Sequence, residues 1–253
     1  MSYITRDMSV SALKHMEEFH KDILHLCQTH QIDLLGNLGR RNVILSQAQE
    51  KFFGQELDKV FDDVVADGRT GEPDIFIGDL DKEVECKLTS RNSNGSIAFQ
   101  TDRDTLTQKK SLDYLYVIAD ETFQSFAVLH FEDLTIEDFR PISPGARGKV
   151  AMYKHKGMKK CNMIIGEAIN KNEAEITKIE GLIKNAIEKF IVRMRKIYDK
   201  IDSSTVGTVK FDKLNQLRHR EAVRYQKRID KLYDRLRYWK NTDDKFSFNL
   251  EAL

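Results

Sequence analysis

Cysteine, proline and tryptophan are all scarce: 3 Cys, 3 Pro and 1 Trp in 253 residues. Three scattered thiols (Cys27, Cys86, Cys161) are too few for a disulfide frame or a cysteine zinc cage. The low proline count, with only 13 glycines, excludes collagen-like repeats and long disordered stretches. No apolar run approaches the roughly 20 residues that cross a bilayer; the longest are pieces such as Tyr114–Ala119. The opening MSYITRDMSV lacks the basic-then-apolar pattern of a secretory signal. What is present is 40% hydrophobic and 32% charged residues, enough for one large core or a core with an appendage. The expectation is a soluble, cytoplasmic chain with no membrane partner.

The net charge of +1 hides an asymmetry. Residues 1–138 hold 14 Lys and Arg against 26 Asp and Glu, a net of −12, whereas residues 139–253 hold 27 against 14, a net of +13. A basic half of this kind either faces a polyanion, most commonly nucleic acid, or solvates itself and pairs with the acidic half.

Apolar periodicity divides the chain. Residues 9–30 place Leu13, Met16, His20, Ile23, Leu24 and Cys27 at helical spacing, with Ser9 or Ser11 as the cap. His15, His20, His25 and His30 recur there at a step that turns a helix by about 140° net, so they share no face and form no metal site. Gly36–Gly39 breaks the pattern. A second helix is predicted over Ile44–Val65, with Phe53, Leu57, Val60, Phe61 and Val64 on one face; extending that stripe backward lands on Glu50. The period then changes to two. Asp74–Ile77 reads as a strand, Gly78–Lys82 as a turn and Glu83–Thr89 as the return strand. A polar loop Ser90–Ser96, a strand Ile97–Gln100, a helix Asp102–Ser111, a buried strand Tyr114–Ala119 and a last strand Ser125–His130 complete an α/β core: a mixed central sheet with flanking helices.

Pro141, Pro144, Gly145 and Gly148 mark a loop before the basic stretch Lys149–Lys160. Two stripes follow, Ile179-Ile183-Ala186-Phe190-Met194-Ile197 and Ala222-Tyr225-Ile229-Leu232-Leu236-Trp239, joined at Ser203–Thr208. Each predicts a helix of about 30 residues, roughly 45 Å long, and the two together a C-terminal helical hairpin. The predicted domains are a helical segment 1–43, a catalytic α/β core with its basic loop 44–165, and the hairpin 166–253.

One constellation carries chemistry: Pro73-Asp74, then Glu85-Cys86-Lys87. With the turn near Leu80–Asp81, Asp74 lies opposite Cys86–Lys87, within reach of a cation shared with Glu85, and Lys87 follows Glu85 by about 7 Å on the same face. Val84, Cys86 and Leu88 anchor the other face in the core. Two facing carboxylates repel unless a divalent cation joins them, and a set of hard oxygen donors suits Mg²⁺ with retained water and a phosphate oxygen. An adjacent ammonium can orient an attacking water and offset charge growing on the phosphate.

On these residues the chain resembles the PD-(D/E)xK nuclease superfamily, most closely its type II restriction endonuclease branch, over about residues 45–130. The resemblance implies a restriction-endonuclease-like core in which Asp74, Glu85 and the backbone carbonyl of Cys86 hold Mg²⁺ and Lys87 positions the water. Many members add a helix glutamate; Glu50 fits the stripe and Glu56 is the alternate. The implied activity is sequence-specific hydrolysis of double-stranded DNA leaving 5′-phosphates, by a homodimer in a bacterial or archaeal cytoplasm. The segment between helix and Pro73-Asp74 is short, with little room for an extra strand, so Glu50 and Glu56 both stay open.

Around that core, Arg91, Asn92 and Asn94 form either a plain polar turn or a base-reading loop, since Arg and Asn pair bidentately with guanine and adenine edges. Arg147, Lys154, Lys156, Lys159 and Lys160 are candidate phosphate contacts in an exposed loop. Arg218, Arg220, Arg224 and Arg228 make a solvated helix face or a backbone clamp, and the hairpin either dimerises or embraces the duplex. Two rival functions remain: a structure- or modification-dependent nuclease with the same site, and a non-catalytic nucleic-acid-binding adaptor. An adaptor has no need of two carboxylates beside a phosphate path, because they repel DNA unless a metal neutralises them.

Overall fold

The computed structural model describes residues 2–68, 72–90, 97–142 and 148–253. Its elements in chain order are α1 (Arg6–Thr29), α2 (Leu38–Asp58), β1 (Val64–Val65), β2 (Ile75–Ile77), β3 (Lys82–Ser90), β4 (Gln100–Asp102), α3 (Arg103–Lys109), β5 (Leu112–Ala119) and β6 (Ser125–Leu134). Then come β7 (Lys149–Ala151), α4 (Lys154–Gly157), β8 (Cys161–Ile165), β9 (Glu167–Asn170), α5 (Lys171–Asp202), α6 (Val209–Asn241), β10 (Phe246–Asn249) and β11 (Glu251–Ala252). Two compact units result: residues 1–169 with 244–253, and residues 170–243. No helix of the described residues is long and apolar enough to cross a membrane.

The first unit is mixed α/β. Its seven-stranded sheet runs β1-β2-β3-β5-β6-β11, with β8 also on β6. Only β3 and β5 run parallel; the other pairs are antiparallel. Strand β5 is buried along its whole length, as expected of a central strand whose two faces are both covered. One face packs Leu115, Val117, Val84 and Cys86 against α1 and α2 through Leu13, Met16, Leu45, Phe53 and Leu57. The other packs Tyr114, Tyr116 and Ile118 with Phe99, Phe131 and Phe248.

Several boundaries differ from the sequence expectation for local reasons. Helix α1 starts earlier because Thr5, not Ser9 or Ser11, caps it; Ser9 is buried and its hydroxyl donates to the Thr5 carbonyl. Helix α2 starts inside the glycine break, where the Asn37 side chain accepts the Arg40 N–H, and stops at Asp58. The released Val64–Val65 becomes β1 and pairs with β2, so an extra strand does fit before Pro73-Asp74. The last residues leave the helical hairpin: β10 pairs with β9 and β11 with β6, which returns residues 244–253 to the α/β unit. Residues 1–43 likewise belong to that unit and form no separate domain.

The second unit is the predicted antiparallel hairpin of α5 and α6. Ile179, Ile183, Ala186, Ile229 and Leu232 form its core, Phe190 stacks on Tyr225 at 4.0 Å, and Asn172 donates to the Trp239 and Thr242 carbonyls at the end of α6.

Arg41 fixes α2 on the sheet. It is fully buried and donates to the Asp120 and Glu121 carbonyls at 2.9 and 2.7 Å, to Ser90 Oγ at 2.8 Å and to Asn42 Oδ1. The start of α2, the end of β3 and the β5–β6 turn thus share one cation, which also lies over the Phe123 ring at 5.2 Å. Truncation leaves those carbonyls unpaired beside a cavity, so Arg41→Ala is expected to cost about 2–4 kcal/mol in urea unfolding.

Candidate active site

The site is built on the β2–β3 hairpin. Ile75 pairs with Val84, Phe76 with Glu83 and Ile77 with Lys82. One further step of that register sets Asp74 across from Glu85, not from Cys86–Lys87 as the sequence placed it. The cause is the turn: Gly78–Leu80 closes as a 3-10 turn, with Asp81 at φ 48° donating its N–H to the Gly78 carbonyl. The corrected register brings the two carboxylates closer in alignment than expected. Beyond the last β2 pair, the Asp74 carboxylate takes over the ladder and accepts the Cys86 N–H at 2.7 Å. Because N–H and C=O of one strand residue point to the same edge, the Cys86 carbonyl faces the edge that β2 has vacated.

Alternation does the rest. Val84 and Cys86 are buried in the α2-facing core while Glu85 and Lys87 project from the opposite face. Lys87 Nζ donates to Glu85 Oε1 at 2.5 Å. In the parallel pairing with β5, Glu85 sits beside Tyr114 and Lys87 beside Tyr116. Those rings are buried, with their hydroxyls bonded to Thr101 Oγ1 and the Gln100 carbonyl at 2.8 and 2.9 Å. The charged face therefore stands on a dry aromatic floor.

The electrostatics follow from burial and from the mutual charges of the cluster. Burial, then the Glu85 charge, pushes the Asp74 carboxyl up to about 6, against the pull of Lys87 and the Cys86 N–H. Burial and the Asp74 charge push Glu50 up to about 7, again with Lys87 opposing. Burial alone would lower Lys87, but Glu85 and Asp74 outweigh it and hold the ammonium above its ordinary value. Glu50 is thus the helix glutamate that faces the hairpin. Glu56 points elsewhere: it accepts from Ser11 at 2.7 Å and Lys59 at 2.6 Å, and these contacts hold it below the usual range despite burial.

Sequence reasoning missed Gly68. It lies at φ +56°, and a Cβ there would meet Glu50 Oε2 at 2.7 Å, so the missing side chain leaves room for the carboxylate. The signal was present as the Asp67-Gly68 break, read only as a change of period. A cleft of about 380 Å³ adjoins the hairpin, lined by Val65, Asp67, Glu72, Pro73, Phe76 and Glu83. Lys109 of α3 closes on Glu83 at 2.7 Å.

The donor set suits a hard divalent cation. Among the described residues no group of three His, Cys, Asp or Glu side chains could hold a metal ion, so Glu50, Asp74 and Glu85 do not close into a cage. A cation bound here would have the Asp74 and Glu85 carboxylates and the Cys86 carbonyl to draw on and would need water or substrate oxygens besides, as Mg²⁺ commonly does.

The basic candidates divide. Arg91, Asn92, Asn94 and Arg147 lie outside the described residues. Lys154–Gly157 is a helical turn followed by a 3-10 turn, not the exposed loop expected. Gly157 is buried there against Met152, with no space for a Cβ. Lys156 donates to the Glu137 carbonyl at 2.7 Å and lies over the Tyr153 ring; Lys160 reaches Asp138 Oδ2 at 2.8 Å and the Asp133 carbonyl at 2.7 Å. Those two lysines tie the segment to the end of β6. Lys154 is half-buried, and Lys159 is exposed.

Searches against models of known families, curated proteins and solved structures find no match for this chain. What the fold and site define is a mixed α/β protein with a carboxylate–lysine cluster on a strand hairpin.

The raised Glu50 gives a signed test. A carboxyl whose folded value lies above its unfolded one costs stability as pH rises through the folded value. In EDTA, Glu50→Gln is expected to melt several degrees above wild type at pH 8 and to converge with it near pH 5, read by scanning calorimetry.

Proposed function

We propose that the chain is a Mg²⁺-dependent, sequence-specific DNA endonuclease of the PD-(D/E)xK type, built on a restriction-endonuclease-like core and leaving 5′-phosphates. The observation that carries this is the charge cluster at the β2–β3 hairpin: Asp74, one register step beyond the last β2–β3 pair, interacts with Glu85, Lys87 is paired to Glu85, and Glu50 feels all three. A purely structural hairpin gains nothing from crowding carboxylates on a buried aromatic face, since a surface ion pair is worth only about 0–1 kcal/mol.

Asp74, Glu85 and the Cys86 carbonyl would hold the ion, which would supply Lewis acidity toward the scissile phosphate and the attacking water. Lys87 stays an ammonium at neutral pH because Glu85 and Asp74 raise it. It therefore serves to orient the water and offset phosphate charge, not to take a proton. Glu50, balanced near neutrality, is suited to accept a hydrogen bond or a proton from that water. Cutting both strands calls for two such sites, hence a homodimer, and the setting is a bacterial or archaeal cytoplasm.

Incubation with plasmid and phage DNA, in Mg²⁺ or EDTA, tests the assignment. Discrete fragments with 5′-phosphate ends are expected in Mg²⁺ alone; cutting confined to branched or modified DNA points to the structure-dependent relative, and salt-sensitive binding without any cutting to an adaptor. Lys87→Ala is expected to slow cleavage about 100-fold or more while duplex binding stays within a few-fold. Wild-type cleavage by Lys87→Ala would falsify the assignment.

A further inference from the structure

Helix α6 carries a charge pattern that packing does not explain. Arg220, Arg224, Lys227, Arg228, Lys231 and Arg235 recur at helical spacing on one face, all exposed, over about 22 Å of helix. The adjoining side, Tyr225, Ile229, Leu232 and Leu236, is closed against α5. Arg224 leans on Glu221 at 3.4 Å and Arg235 on Glu175 at 3.7 Å. Arg220, Lys227, Arg228 and Lys231 have no hydrogen-bond or ion-pair partner among the described residues. Between the cations runs a shallow groove of about 450 Å³, with Leu232 at its base. Unpaired like charges along one helix face repel one another, which is costly unless something anionic covers them.

We infer that this face of α6 docks the phosphate backbone of duplex DNA without reading sequence. Duplex DNA presents a negative charge about every 1.7 Å of its axis, so a rigid basic row meets phosphates whatever the bases are. A membrane surface fits less well, because the apolar side of α6 is already occupied by α5 and offers nothing to insert. The choice of DNA rests on the nuclease proposal, while the charge row is observed independently of the candidate site.

The test is fluorescence anisotropy of the full-length protein with a 30-base-pair duplex in EDTA, so that binding is read without cleavage, over a salt series. Two triples remove equal charge. One is Lys227→Ala, Arg228→Ala and Lys231→Ala on the row; the other is Lys178→Ala, Arg237→Ala and Lys240→Ala, whose parent side chains are held by Glu175, Asp234 and Glu180. The row triple is expected to bind at least 10-fold more weakly near 100 mM salt, with a log–log salt slope shallower by about 2–3. The control triple is expected to stay near wild type. A Gln version of the row triple stands in should the Ala version melt early. An unchanged slope in the row triple, an equal loss in the control, or wild-type binding to phosphatidylserine vesicles but not DNA overturns the docking face. Binding that follows the expectation in a protein that never cuts in Mg²⁺ leaves the docking face standing and removes only the nuclease assignment.

Discussion

Charge crowding on a dry sheet face is the constraint on which the candidate site depends. Asp74 and Glu85 face each other across two strands, Glu50 approaches from α2, and Lys87 is the cation that opposes the rise of both Asp74 and Glu50. Burial makes each added negative charge expensive and the neighbouring carboxylates add repulsion, so Asp74 and Glu50 are held well above their ordinary values. Such a cluster is stable only because its backing is rigid: Val84 and Cys86 are locked into the helical side of the core, and Arg41 clamps α2 to the end of β3. A divalent cation bound at such a site, as the proposed function requires, would gain from relief of repulsion as much as from attraction.

The parts of this arrangement that follow local rules were legible in the sequence. Period-two alternation separated Glu85 and Lys87 from Val84 and Cys86, and helical spacing found the hairpin seam from Ile179 to Ile197 and from Tyr225 to Leu236. The stripe argument pointed to Glu50, with Glu56 as the alternate; what separates them is Ser11 and Lys59 around Glu56, contacts made by a helix far away in sequence and by the next turn. Register was the harder matter. It turned on Asp81 taking a positive φ, a choice made in common by the 3-10 turn and the strands, which alternation cannot reveal.

Long-range pairing explains the other differences. Phe248 is buried with Phe99, and β11 extends the main sheet, yet residues 246–252 carry only a short, polar-interrupted pattern that nothing nearby identifies as a strand. The lysines of Lys154–Lys160 look alike in sequence. Lys156 and Lys160 nevertheless reach the Glu137 and Asp133 carbonyls and the Asp138 carboxylate, because Gly157 lets the turn settle on Met152. Basic composition alone does not distinguish a cation that ties a fold together from one left for a partner. Pairing does.

That distinction also bears on how a chain whose α/β unit is acidic could meet a polyanion, as the proposed function requires. The hairpin unit, residues 170–243, carries 19 Lys and Arg against 11 Asp and Glu, so the remaining chain is net acidic. The carboxylates that would hold Mg²⁺ repel phosphate until the ion is in place, and they supply no attraction at a distance. Attraction therefore has to come from cations not already paired within the fold. The row on α6 meets that condition, since Lys156 and Lys160 are occupied while Lys227, Arg228 and Lys231 have no partner among the described residues. Under the proposed function, such a division of labour would let the core keep the excess of negative charge that metal-dependent hydrolysis needs, with affinity drawn from cations on α6.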